Sequence, residues 1–350
     1  MNRRENYLRA ARFEGPERVP MIFHVNPSCW NHFQPAPLAE LMAAHPRLFP
    51  DFDPNRPGGD ATIRPWQRAN QPYTDPWQCV WNTSEDGLTG TVVRHPLADW
   101  DAWPAFRPPD PAGYDGMQGI DWTKVAAQFA NDARQERIRE GGLRHGHTFQ
   151  RMSYLRGYEN LILDMADAEP RLESLIQMVE AFNAAIVRRY LELGADVITF
   201  PEDLGMQRGP MVSPELFRRY VKPSYGRLME PAGAAGAVVH MHSDGDIRSL
   251  ADDLLDCGVD VLNLQDLANG LEWIGEHLKG RVCIDLDLDR QSVTRFGTPA
   301  EIDCLVREAV RTLGSPRGGL MMIYGLYPGV PLDNVAAVMD AMDRYAGHFS

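Results

Sequence analysis

Gly194-Ala-Asp-Val-Ile-Thr-Phe-Pro-Glu-Asp203 and Gly258-Val-Asp-Val-Leu-Asn-Leu-Gln-Asp266 repeat one pattern. Each opens with a glycine suited to ending a helix, continues as a short apolar run and closes on a carboxylate. Helical spacing of apolar residues precedes both, over 169–193 and over 247–256. A helix, a capping glycine, a buried strand and a polar strand end together make one unit of a parallel α/β sheet.

From about residue 140 this alternation continues. Strands are expected at 144–151, 195–200, 237–242, 259–264, 281–286 and 319–324. Helices are expected at 159–166, 169–193, 214–232, 247–256, 271–278, 298–313 and 334–345. Thr298-Pro-Ala-Glu301 is a capping box with proline at the first helical position. Before residue 140 the chain predicts an amphipathic helix over 2–13 and a buried strand over 19–25. A long loop over 46–76, a hairpin built from 79–82 and 89–93, and a Trp/Pro-rich connection over 97–116 follow. No GxGxxG follows a strand and no GxxxxGK[ST] occurs, so nucleotide-binding signatures are missing. The expected architecture is a (β/α)8 TIM barrel with long N-terminal loop and hairpin insertions, formed by residues 1–350 as one domain.

The 350 residues carry 35 Lys+Arg against 48 Asp+Glu, a formal charge of −13. That acidity argues against a general nucleic-acid binder or a protein docked on an anionic membrane. Apolar residues at 44% and charged residues at 24% are ordinary for a globular chain, which excludes disorder. The five cysteines, Cys29, Cys79, Cys257, Cys283 and Cys304, are widely spaced without CxxC, so neither a disulfide framework nor a cysteine-only zinc site is expected. The charged start is no signal peptide and no run reaches membrane-span length, so a cytoplasmic location is expected.

In a TIM barrel the chemistry sits at the C-terminal ends of the strands. His240-x-His242-x-Asp244 ends one of them, and residues at i, i+2 and i+4 share a face of a strand. Two imidazoles and a carboxylate so placed are a ligand set for Zn²⁺ or another divalent ion. Glu202-Asp203 ends the preceding strand and offers a further ligand and an acid/base group; a helix cap is the structural alternative for this pair. His24, and His145 with His147, are read at the ends of earlier strands. Candidate catalytic groups are Asp203, Tyr154, Tyr324 and Asp285. Candidate substrate contacts are Arg151, His147, Gln265 and Trp81, and candidate metal ligands are His242, Asp244, Glu202 and His240. Asp289-Arg290 reads as a local ion pair.

Several segments resemble the uroporphyrinogen decarboxylase superfamily. They are Asn2-Arg-Arg-Glu-Asn with Gly15-Pro-Glu-Arg-Val-Pro20, Leu155-Arg-Gly-Tyr-Glu-Asn160, Gly194-Ala-Asp196, Pro201-Glu-Asp-Leu-Gly205, His242-Ser-Asp-Gly-Asp246, Gly258-Val-Asp-Val-Leu262 and Pro331-Leu-Asp-Asn334. The resemblance implies a TIM barrel, a frequent homodimer and one of two chemistries: metal-free decarboxylation of a tetrapyrrole, or zinc-dependent methyl transfer involving a corrinoid protein or a thiol. The sequence departs from both patterns. Where the decarboxylases carry an arginine-rich segment, His24-Val-Asn-Pro-Ser-Cys-Trp-Asn-His32 has none, and Tyr324-Gly-Leu-Tyr-Pro stands where a late histidine is expected. Where the zinc methyltransferases carry His-x-Cys and a second cysteine, this chain has His242-Ser-Asp244 and Leu326-Tyr327. The expected function is therefore methyl transfer from a small methylated (methoxy) substrate to a corrinoid on a separate partner protein, at a metal site built from oxygen and nitrogen ligands. Decarboxylation of a carboxylated or tetrapyrrole substrate is the alternative.

Overall fold

The computed structural model describes residues 1–55 and 63–349, so part of the expected 46–76 loop lies outside the described residues. In chain order the strands are β1 (Met21–Val25), β2 (Tyr73–Thr74), β3 (Val80–Asn82), β4 (Thr91–Arg94), β5 (Glu140–Gly142), β6 (Val197–Pro201), β7 (Gly205–Met206), β8 (Gly209–Pro210), β9 (Val238–Ser243), β10 (Val261–Gln265), β11 (Cys283–Asp287) and β12 (Leu320–Leu326). Seven of them form one parallel sheet in the order β1-β12-β11-β10-β9-β6-β5. The last strand returns to pair with the first, so the sheet curls into a (β/α)8-barrel fold, with β1 and β5 as its two free edges among the described strands. Helices such as Pro170–Glu192, Lys222–Ala234 and Pro299–Leu313 make the crossovers, and Leu332–Tyr345 follows the last strand. No described helix is long and apolar enough to cross a membrane.

The two quoted repeats behave alike. Gly194 (φ +80°) and Gly258 (φ +93°) sit in the left-handed region where a helix ends, and β6 and β10 follow within three residues. Along each strand, side chains alternate between two environments. Ile198, Phe200, Val239, Met241, Leu262, Leu264, Ile284, Leu286, Met322 and Tyr324 face outward into the core beneath the helices. Val197, Val238, Val261, Cys283 and Met321 face inward and close around Tyr7, Leu8, Ala10 and Ala11 of the Arg3–Arg12 helix. That helix is capped by Asn2, whose side chain accepts the Glu5 N–H, and its Arg4 holds Asp196 at 2.7 Å. It plugs the N-terminal end of the barrel, so the polar strand ends open at the other end.

Three expectations change. The strand expected at 144–151 is β5, over Glu140–Gly142, and a helix, Phe149–Arg156, takes up the rest. The reason is local: Gly146 (φ +73°) turns the chain out of the sheet, and its neighbourhood excludes a side chain, since a Cβ there would meet the Tyr154 hydroxyl at 2.9 Å. The helices Pro35–Ala44 and Trp122–Arg134 were not read from the sequence. The helix expected over 214–232 carries a π-turn at Phe217–Val221. The hairpin is present, with Trp81 opposite Val92, and gains β2 as a third strand.

Candidate metal centre at the barrel mouth

Glu202 and Asp203 follow β6 and the alternation sends them opposite ways. Glu202 points outward and is wholly buried. One carboxylate oxygen accepts the Thr148 and Gln150 N–H groups, each at 2.8 Å, and the other accepts the Tyr225 hydroxyl. It thus caps the Phe149–Arg156 helix, where the unpaired N–H groups and the helix dipole favour a negative charge. This carboxylate has no reach into the mouth.

Asp203 points inward. Its Oδ1 accepts the Asp244 N–H at 3.2 Å and lies 3.2 Å from His145 Nε2 and 3.5 Å from His242 Nε2. Its own N–H donates to the Gln150 side chain at 3.1 Å. Burial alone would raise its carboxyl, but the bonds from His145 and His242 hold it well below the usual carboxylate range.

His242 is oriented from behind. The Asn263 amide donates its N–H to the Asp285 carbonyl at 2.6 Å, so the Asn263 oxygen faces His242 Nδ1 as an acceptor. This assignment from the hydrogen-bond network places a proton on Nδ1 and directs Nε2 into the mouth, so that an ion displacing the Nε2 proton would meet the arrangement of a metal-ligating histidine. Burial opposes charging of His242, yet the Asp203 bond and the Asp244 charge outweigh it and push its pKa up to about 9. Among the described residues, His145, Asp203 and His242 each bring one ligand atom, all within 4.8 Å of one another. Two imidazole nitrogens and a carboxylate oxygen suit Zn²⁺ or a similar divalent ion with a position left for substrate. Asp244 Oδ1 lies 3.8 Å from His242 Nε2. The turn that carries Asp244 is held by Gln265, which accepts the Gly245 N–H at 3.0 Å.

His240 shares its strand face with His242 but sits a layer deeper. Its Nε2 is 3.2 Å from Asp285 Oδ2 and its Nδ1 3.5 Å from the Tyr7 hydroxyl, so it does not join the cluster at the mouth. Asp287 lies above Asp285 and binds Arg290 at 2.7 Å; burial pushes the Asp287 carboxyl up to about 7. Arg290 also reaches Asp244 at 3.4 Å and stacks over Tyr327 at 5.5 Å. The expected Asp289–Arg290 ion pair is absent: Asp289 instead accepts the N–H groups of Gln291, Ser292 and Val293. In the sequence, His145 reads as a rim residue without a ligand role, and Arg290 only as a local partner of Asp289. Only the folded turns after β5 and β11 bring them to the mouth.

The remaining candidates lie elsewhere. Arg151 is buried and donates to Asp75 at 3.0 Å and to the Gly116 carbonyl at 3.3 Å. The Trp81 indole donates to the same Asp75 at 2.9 Å, and the Tyr154 ring packs edge-on against Trp81 at 4.8 Å. Arg151, Trp81 and Tyr154 therefore fasten the hairpin to the barrel. The Tyr154 hydroxyl end still reaches the loop beside His145, through Gly146. His147 is enclosed by Phe200 and Tyr225 and bonds Thr148 at 2.7 Å. Tyr324 is on the outward side of β12, packed on Phe23 at 5.1 Å, while Ile323 and Gly325 take the inward positions.

Comparison with known proteins agrees with this architecture. The profile of the Uroporphyrinogen decarboxylase (URO-D) family matches residues 87–345. A methylcobamide:CoM methyltransferase, MtaA, from Methanosarcina barkeri is 27% identical over 170 residues, 46% of this chain and 45% of the relative. A uroporphyrinogen decarboxylase from Thermus thermophilus is 28% identical over 174 residues, 49% of this chain and 48% of the relative. The chain thus spans about half the length of the curated relatives it matches. A solved methyltransferase from Methanosarcina mazei superposes with a TM-score of 0.63 at 18% identity, covering 98% of both chains, which shows a shared fold. With the family profile spanning most of the barrel, the chain belongs to the uroporphyrinogen decarboxylase (URO-D) family.

Proposed function

We propose that this protein is a metal-dependent methyltransferase that moves a methyl group from a small methylated (methoxy) substrate to a corrinoid carried by a separate protein. The observation that carries the proposal is the convergence of His145, Asp203 and His242 at the barrel mouth. These three, with Asp244 beside them, would hold Zn²⁺ or another divalent ion. The ion would supply Lewis acidity, polarising the methyl-bearing oxygen so that it leaves more readily. A ligand set without thiolate suits an oxygen donor better than a sulfur one.

The protein's own groups prepare that site. Asn263 fixes the His242 ring, and Gln150 and the Asp244 N–H fix Asp203. Arg290, held between Asp244 and Asp287, marks the edge of the mouth. Met206, Leu267, Phe296 and Tyr327 are exposed, and each follows the C-terminal end of a barrel strand. Exposed apolar residues on the active face support docking of a partner that brings the methyl acceptor. Decarboxylation of a polyanion is less well supported. No Lys or Arg lies at an inward position of the seven barrel strands, so little there would grip several carboxylates.

The test is formation of methylcobalamin from cob(I)alamin and a methoxylated aromatic donor, followed by absorbance, with and without added Zn²⁺. The expected result is metal-dependent methylation that Asp203→Ala and His242→Ala abolish. Equal rates without metal, or in both variants, would contradict the proposal.

A further inference from the structure

Below the metal cluster the inward face of the barrel carries a second polar layer that the methyl-transfer chemistry does not use. Asp285 is its centre. One of its oxygens lies beside His240 at 3.2 Å, while the other, Oδ1, is buried with no hydrogen-bond partner among the described residues. Asp287, two residues further along the same inward face, also has one oxygen bonded to Arg290 and one without a partner. A buried carboxylate oxygen left unpaired costs about 1–3 kcal/mol or more, and native proteins rarely carry several without a purpose.

The surroundings give the ligand's charge. His24 and Glu140 take inward positions on the two free edges of the sheet and are exposed, so solvent reaches this layer. The charges of Asp285 and Glu140 both bear on His24 and on Tyr7. Arg290 is committed to Asp244 and to the other oxygen of Asp287, and His242 above is bound to Asp203. The inward positions of the barrel strands hold no Lys or Arg to neutralise Asp285. An anionic ligand would be repelled here. A neutral ligand would satisfy the hydrogen bonds but leave the charge. An ammonium group satisfies both.

We propose that the layer formed by Asp285, Asp287 and His240 is a cation subsite that receives a protonated primary or secondary amine at the inner end of the substrate. Asp285 and Asp287 contact the ammonium group, and His240, whose own buried Nε2 lacks a hydrogen bond, lines the subsite beside Asp285. The layer lies two residues down the strands from His242, roughly 7 Å. The substrate therefore spans about one aromatic ring between its amine and the group presented at the mouth. This inference rests on reading the mouth as the reaction site, and it names the substrate class.

Binding separates it from the methyl-transfer reading. The full-length protein is titrated calorimetrically near neutral pH with 4-methoxybenzylamine, 4-methoxybenzyl alcohol and 4-methoxybenzoate. The expected order is amine, then alcohol, then benzoate, with the amine about tenfold tighter than the alcohol, as a charge-assisted hydrogen bond provides. Asp285→Asn, which keeps the shape, is expected to cut the amine's advantage over the alcohol severalfold with metal content unchanged. The order across the three wild-type ligands stands even if that variant fails to fold. Tight binding of the amine without any methyl transfer would sink the proposed reaction and leave the subsite intact. No binding of the amine, equal or tighter binding of the benzoate, or an undiminished amine preference in Asp285→Asn would overturn the subsite.

Discussion

The two ends of the barrel are built on the same strands and differ in almost everything else. At the N-terminal end, Val197, Val238, Val261, Cys283 and Met321 meet the Arg3–Arg12 helix and form a sealed apolar layer. Four to six residues later, the inward positions hold Asp203, His242, Gln265 and Asp287, all polar. Apolar contact stabilises one end. The other keeps carboxylates with unpaired oxygens, an arrangement that costs stability and makes sense only for a site that receives something. The same contrast recurs within one dipeptide: Glu202 is saturated by three donors and holds the fold, whereas Asp203 faces the mouth with two histidines.

Breaking each side of that contrast should give separable effects. Glu202→Ala strands the Thr148 and Gln150 N–H groups and the Tyr225 hydroxyl, at roughly 1–3 kcal/mol for each donor left buried and unpaired. Denaturant unfolding should show the largest stability loss here. Met321→Ala, in the sealed layer, should cost about 2–5 kcal/mol with metal content unchanged, measured the same way. Asp203→Asn weakens the bonds with His145 and His242 and should also cost stability, but unlike both it should remove the metal.

A pH-dependent effect tests the outward side of β10. Asp266 is buried, and burial, more than the nearby Asp289 charge, raises its carboxyl from the ordinary 3.8 to about 7. The folded state therefore keeps a proton that the unfolded chain has released. Stability should fall as pH rises from about 4 to 7 and level off above, and Asp266→Asn should reduce that slope by about half, Asp287 supplying the rest. An unchanged slope in the variant would show that Asp266 is ionised throughout.

The fold was legible because the repeated glycine–strand–carboxylate unit reports local physics: helix termination, apolar runs and polar strand ends. The 144–151 segment was misplaced because the turn at Gly146 and the cap supplied by Glu202 are tertiary contacts, more than fifty residues apart in the second case. The site was legible by strand end but not by side. Period two places Glu202 and Tyr324 outward as surely as it places Asp203 inward, yet the phase depends on where each strand begins, and strand boundaries are the least certain part of a sequence reading. His145 and Arg290 come from turns, where no periodicity points, and Arg151 and Trp81 look like site residues until Asp75 is seen to bind both.

The most direct test of the account is metal content by mass spectrometry on protein purified without chelator or affinity-tag metal. Wild type, Glu202→Gln and Asp203→Asn combined with His242→Asn would be compared. The account predicts about one divalent ion per chain in the wild type and in Glu202→Gln, and none in the double variant. Metal retained by the double variant, or a wild type that binds none even after loading with Zn²⁺, would contradict it.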